Sequence, residues 1–161
     1  MIKNADAPKP ALRMRRVLTA PVLSPAWPAG TRLVTFAPER AAGVHALLAA
    51  AYANGGGSVP PFAQWWTALS HDAEFDSALC FVVQDASGRM IGVAQCWTSS
   101  FVKDLAVHPD WRRRGLGRAL LLHTFHAFSM RGVGAIDLKV EAGNAAAIAL
   151  YESLGMHVIE S

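Results

Sequence analysis

The stretch DWRRRGLGRALLL, residues 110–122, limits the possible folds most sharply: three consecutive arginines and two glycines stand where an apolar run of helical period begins. Beyond Gly115, Leu116, Leu120, Phe125 and Phe128 recur at helical spacing, and Gly132 is placed to end the helix. Strand-like runs flank it, FVKDLAV at 101–107 and AIDLKV at 135–140. A strand, a helix and a strand joined by short connections predict a βαβ-like unit with parallel strands. The glycines would let a ligand approach the free N–H groups and positive dipole end of the helix, so an anion is the expected occupant.

Upstream, TRLVTF (31–36) reads as a strand, Pro38 opens a helix running toward Tyr52, and NGGGSVPP (54–61) interrupts the chain. A short aromatic helix at 62–69 follows. LCFVVQ (79–84) and MIGVAQCW (90–97), separated by DASGR, read as a hairpin. Downstream, a last helix runs from Asn144 as N-cap to Leu154, with Gly155 at its end and MHVIE as a final short strand. A chain of 161 residues, 52% of them hydrophobic, suits one well-buried domain. That domain is expected at 31–161, behind a leader at 1–30 that is partly disordered or an extra edge strand.

The net charge of +3 is unevenly placed. Lys3, Lys9, Arg13, Arg15 and Arg16 against Asp6 give +4 in the first 16 residues, leaving −1 for the rest. A basic leader on a near-neutral body is not the basic stripe of a nucleic-acid domain, so no nucleic-acid partner is expected. The apolar stretch at 17–23 is short and broken by Pro21, so neither a membrane span nor a signal peptide is expected. Cys80 and Cys96 fall in strand-like runs without metal or C-x-x-C spacing and read as buried thiols of a cytoplasmic protein. His123 and His126 lack a third ligand, and no metal is assigned.

Three anion sites fit an arginine- and glycine-rich turn. A P-loop needs Gly, four residues, then Gly-Lys-Ser/Thr, and that string is absent. A dinucleotide fold gains from Gly115, Gly117 and Asp137, 20 residues beyond Gly117, but Leu120 occupies the third glycine position and too little chain remains for a doubly wound sheet. The third reading takes LAVHP, Arg112-x-x-Gly115-x-Gly117 and the later NAAAIALYESLGM together. These two motifs, in this order, resemble the GCN5-related N-acetyltransferase (GNAT) superfamily over roughly residues 79–157.

The resemblance implies a single α/β domain of GNAT type, a mixed central sheet flanked by helices and apparently lacking the usual last strand. It implies acetyl-CoA as acyl donor substrate. The pyrophosphate would lie across the backbone N–H groups of residues 113–118, Gly115, Leu116 and Gly117 among them, with Arg112, Arg113, Arg114 and Arg118 adding positive charge nearby, and the pantetheine along Leu105, Ala106 and Val107. Asn144 would be a cap, a coenzyme contact, or both. Tyr151 falls at the family's general acid. The base is less defined: Lys103 stands where some members carry a glutamate, and Asp104, adjacent to it, is the candidate. Strict alternation would place Asp104 on the face of Val102, Ala106 and His108. Tyr52, Phe62, Trp65, Trp66, Phe75 and Trp97 would wall the acceptor pocket, with Asp72, Glu74 and Asp76 attracting a cationic amine.

The expected reaction is transfer of an acetyl group to a primary amine of a small molecule or peptide. A non-catalytic acyl-CoA-binding module is the alternative, and a nucleotide-dependent oxidoreductase is a third reading. If the usual last strand is absent, an open sheet edge needs cover, either from the apolar positions of the leader or from a second copy in a homodimer.

Overall fold

A computed structural model describes residues 10–53 and 57–160. Residues 1–9 of the leader, 54–56 and 161 lie outside the described residues. Among the described residues seven strands run in chain order as β1 (Ala11–Val17), β2 (Arg32–Thr35), β3 (Phe75–Gln84), β4 (Met90–Trp97), β5 (Phe101–Val107), β6 (Ala135–Glu141) and β7 (His157–Glu160). The helices are α1 (Ala41–Tyr52), α2 (Phe62–Ser70), α3 (Leu116–Met130) and α4 (Ala145–Ser153). One mixed sheet holds all seven strands in the order β2-β3-β4-β5-β6-β1-β7. Only β5 and β6 are parallel, as the βαβ reading requires.

The two faces of the sheet carry separate cores. Under α3, Leu116, Leu120, Phe125 and Phe128 pack with Phe81, Ile91, Ile136 and Leu138. Phe125 and Phe128 are essentially fully buried, each contributing about 2–3 kcal/mol of transfer free energy. A Cβ on Gly92 would stand 2.9 Å from Leu120 Cδ1, so the glycine lets α3 lie close on β4. On the opposite face, Val44, Leu47 and Leu48 of α1 and Trp65 and Leu69 of α2 cover Cys80, Val82, Val93 and Ala106.

Three elements depart from the sequence expectation. β3 starts at Phe75 rather than 79, because Phe75 pairs with Trp97 before a register shift resumes pairing at Cys80. The polar 76–78 segment between them hides the alternation. The leader is not an edge strand: β1 is interior, antiparallel to β6 over seven register positions and to β7 on its other side. Met14, fully buried, faces Leu138. On the other sheet face, Arg15 donates to both oxygens of Asp137 (2.7 and 2.9 Å) and Arg13 donates to one (2.8 Å). β1 therefore pairs along one edge of β6, and β7 is the terminal strand beyond it.

The third departure is a bulge in β5. Gln95 faces Asp104 and Cys96 faces Val102, so Lys103 is the extra residue. Alternation breaks there. Val102 packs into the α3-side core while Ala106 belongs to the α1-side core, and Asp104 does not share a face with Val102.

Candidate active site

β5 and β6 pair only at Phe101↔Asp137 and Val102↔Leu138. Past that point they separate, and a cavity of about 420 Å³ opens between them. Lys103, Leu105, Ala106 and Val107 line one wall, and Lys139, Val140 and Glu141 the other. The other edge of β6 is already occupied by β1, so its open edge faces this gap. Tyr52 of α1, Arg112, the α4 cap residue Asn144 and Tyr151 of α4 also line it.

At one end lies a second hollow of about 270 Å³, bounded by Val107, Trp111, Arg112, Arg113, Gly115, Gly117, Arg118 and Leu150. Its floor is the start of α3. The chain turns through Arg113 (φ 62°) and Gly115 (φ 84°), both left-handed, the conformation in which glycine carries no steric cost. Ala119 is the first residue of α3 to donate back, to the Gly115 carbonyl at 3.0 Å, so the N–H groups of Leu116, Gly117 and Arg118 have no intrahelical acceptor. A Cβ on Gly115 would meet nothing within 4 Å, and one on Gly117 would stand 3.7 Å from Val107 and 3.9 Å from Leu150, at the lining of the hollow. Bare backbone, free N–H groups and nearby guanidiniums fit a pyrophosphate.

The arginines of the run are separated by what they touch. Arg112 donates to the Ala51 carbonyl (3.0 Å), bracing the turn against α1. Arg114 lies over the Trp111 ring at 4.6 Å and is not among the residues lining the hollow. Arg113 and Arg118 line it. Leu116 buries its side chain in the α3 core, leaving only its backbone to face a ligand. Asn144 accepts from the Ala147 N–H at 3.1 Å as a helix cap while also lining the cavity.

Tyr151 and Tyr52 line the same cavity. Burial pushes the Tyr151 phenol up, which keeps its proton in place at neutral pH. Tyr52, raised by burial and then by the neighbouring carboxylate, donates to Asp104 Oδ1 at 2.9 Å. Lys103 Nζ lies 3.0 Å from Asp104 Oδ2 and 5.8 Å from the Trp97 ring centroid. The Tyr52–Asp104 contact was not legible as a pair, because α1 and β5 meet only through the fold. Lys139 and Glu141 were also missed. Their signal is strand alternation along β6, which becomes informative once β6 is known to be a cavity wall.

The remaining acceptor candidates stand apart from the cavity. Asp72, Glu74 and Asp76 accept from backbone N–H groups of Glu74, Ser99 and Ala78, so their oxygens hold loops. Trp66, Phe36 and Phe75 pack on one another, as do Phe62, Trp65 and His45. His123 packs edge-on against Phe81, and burial pulls its pKa down. His126 contacts the Leu23 carbonyl. The thiol of Cys80 is pushed up to about 12 by burial and then by Asp104. Among the described residues, no group of three His, Cys, Asp or Glu side chains is placed to hold a metal, and no helix is long and apolar enough to cross a membrane.

The family model described as "Acetyltransferase (GNAT) family" matches residues 41–156. The "[Ribosomal protein bS18]-alanine N-acetyltransferase" of Escherichia coli K12 is 57% identical over 54 residues, covering 34% of this chain and 36% of the relative. A mycothiol acetyltransferase of Thermobispora bispora is 35% identical over 161 residues, covering 89% of this chain and 52% of the relative. The chain thus spans about a third to a half of the length of these curated relatives. Among solved structures, a GCN5-related N-acetyltransferase from Sphaerobacter thermophilus superposes with a TM-score of 0.79 at 26% identity, over 93% of this chain and 48% of that one. The ribosomal-protein-S18-alanine N-acetyltransferase of E. coli gives 0.63 at 30% identity, over 78% and 76%.

Proposed function

The chain belongs to the GNAT acetyltransferase family, and from that premise we propose that it moves an acetyl group from acetyl-CoA to a primary amine of a small molecule or peptide. The observation that carries this reading is the gap between β5 and β6, which runs from the glycine-bearing start of α3 to the phenol of Tyr151. Acetyl-CoA, when bound, supplies the activated thioester.

In this reading the N–H groups at the start of α3, with Arg113 and Arg118 beside them, hold the pyrophosphate. Arg112 serves from the cavity side of the turn while bracing it, and Arg114 contributes charge from its seat on Trp111. Leu105, Ala106 and Val107 offer their unpaired edge to the pantetheine as to an added strand. The Val107 N–H donates to the thioester oxygen, where charge develops. Asp104, oriented by Tyr52, takes a proton from the attacking amine, directly or through water, and Tyr151 delivers one to the departing sulfur. Asn144 caps α4 and so fixes the helix that carries Tyr151. Relatives named for an alanine of a ribosomal protein and for mycothiol support an amine acceptor of either size.

The test is thiol release from acetyl-CoA in the presence of a panel of amines that includes alanyl peptides and small amino compounds. At least one amine should accelerate release and be recovered N-acetylated. Tight acetyl-CoA binding with no amine-dependent release across the panel would favour the non-catalytic module.

A further inference from the structure

We propose that Lys103 is itself an acetyl acceptor of this site, so that the protein acetylates its own cleft. The inference rests on the transfer reading above and extends it to a residue of the chain. Lys103, the bulged residue of β5, lines the cavity wall along with Leu105 and Val107, the stretch assigned to the pantetheine and thioester oxygen. Its Nζ is 3.0 Å from the carboxylate assigned as proton acceptor, and its cation lies 5.8 Å from the Trp97 ring centroid. A carboxylate oxygen and an indole face together are a recognition set for an alkylammonium. Here the chain's own lysine already occupies that set, as a tethered stand-in for the external amine. Tethering gives it a high effective concentration, which makes a reaction at this position competitive without a binding step.

The chemistry balances without a further reactant. The ammonium gives one proton to Asp104, and through it to solvent. The nitrogen lone pair then bonds to the thioester carbonyl carbon as the C–S bond breaks. The nitrogen loses a second proton, which offsets the one that Tyr151 gives the thiolate before regaining it from water. The products are an Nζ-acetyl-lysine, free coenzyme thiol and one proton. Acetylation removes the cation from Asp104 while leaving the hydrogen bond from Tyr52 in place.

The chain has four lysines, Lys3, Lys9, Lys103 and Lys139, and Lys139 lines the opposite wall of the same cavity, so the modified position itself is what the experiment reads. The full-length protein is incubated with isotopically labelled acetyl-CoA and no added amine, then read by intact mass and peptide mapping. One acetyl group is expected on Lys103, formed at a first-order rate independent of protein concentration and rising with pH. Tyr151→Phe should slow it by the same factor as turnover on an external amine, and Lys103→Arg should abolish it. Label spread evenly over the lysines, or a Lys103 rate unmoved by Tyr151→Phe, would mark simple chemical acetylation and overturn the proposal. An unmodified Lys103 in a protein that acetylates an external amine overturns this inference alone. If neither Lys103 nor any amine is acetylated, the transfer reading falls with it.

Discussion

Replacing Tyr151 with phenylalanine is expected to cut amine-dependent turnover by ~10²- to 10³-fold, the lower part of the range for loss of a general acid, because the coenzyme thiolate is a fairly good leaving group. The ring stays, and with it the packing of Tyr151 against the α3-side core. Acetyl-CoA affinity should therefore change little, so kcat and kcat/KM fall together. Burial raises the pKa of this phenol, so the wild-type protein should keep the phenol proton through the neutral range. Its rate should show no alkaline decline from this group until above ~10, the ordinary tyrosine value. Parent-like turnover by Tyr151→Phe at saturating amine, with chemistry limiting, would remove Tyr151 from the mechanism.

The second large effect concerns the leader. Asp137 is nearly buried between Arg13 and Arg15 and joins β1 to β6 across 122 to 124 residues of chain. Asp137→Asn leaves two guanidiniums facing a neutral amide, and the loss should be about 2–3 kcal/mol, toward the lower side for a buried pair because both arginines are partly solvated. For a chain of this size that lowers Tm by roughly 5–10 °C. The pH dependence has a definite sign. Burial pushes the Asp137 carboxyl up, but the hydrogen bonds and charges of Arg15 and Arg13 outweigh it and hold the group below its ordinary value. Its contribution is thus complete above ~4, the unfolded carboxylate value, and is lost as pH falls through the lower folded value. Urea midpoints measured from pH 7 downward should fall for the wild type in that acid window and fall less for Asp137→Asn. Equal midpoints for the two proteins at pH 7 would show that the clamp contributes nothing.

The same pair explains where the sequence could be read and where it could not. From residue 79 onward the main elements carry a clear local signal: an apolar run of β-formers in β4, leucines and phenylalanines at helical spacing in α3, Asn144 ahead of α4. The leader ALRMRRV carries the alternation too, with Leu12 and Met14 on the face opposite Arg13 and Arg15. Its arginines nevertheless read only as part of a basic leader, because the carboxylate that meets them lies more than 120 residues away. In the site, the glycines and Tyr151 were visible as a motif, since backbone access and a phenol depend on local sequence. The partners of Asp104 were not. Tyr52 reaches it from another element, and the bulge at Lys103 shifts the parity on which its orientation had been argued.

The claim on which the rest depends is that the start of α3 holds the coenzyme, and calorimetry of acetyl-CoA with the wild type and Gly117→Asp tests it most directly. Room exists for the side chain, since a Cβ there makes only ordinary contacts, and an acidic residue in the first turn suits the helix dipole. The fold should therefore survive while the carboxylate repels the pyrophosphate. Affinity is expected to drop about 10- to 100-fold, or ~1.4–2.8 kcal/mol, with an unchanged melting curve for the free protein. Undiminished affinity in a folded Gly117→Asp would place the coenzyme elsewhere and contradict the account.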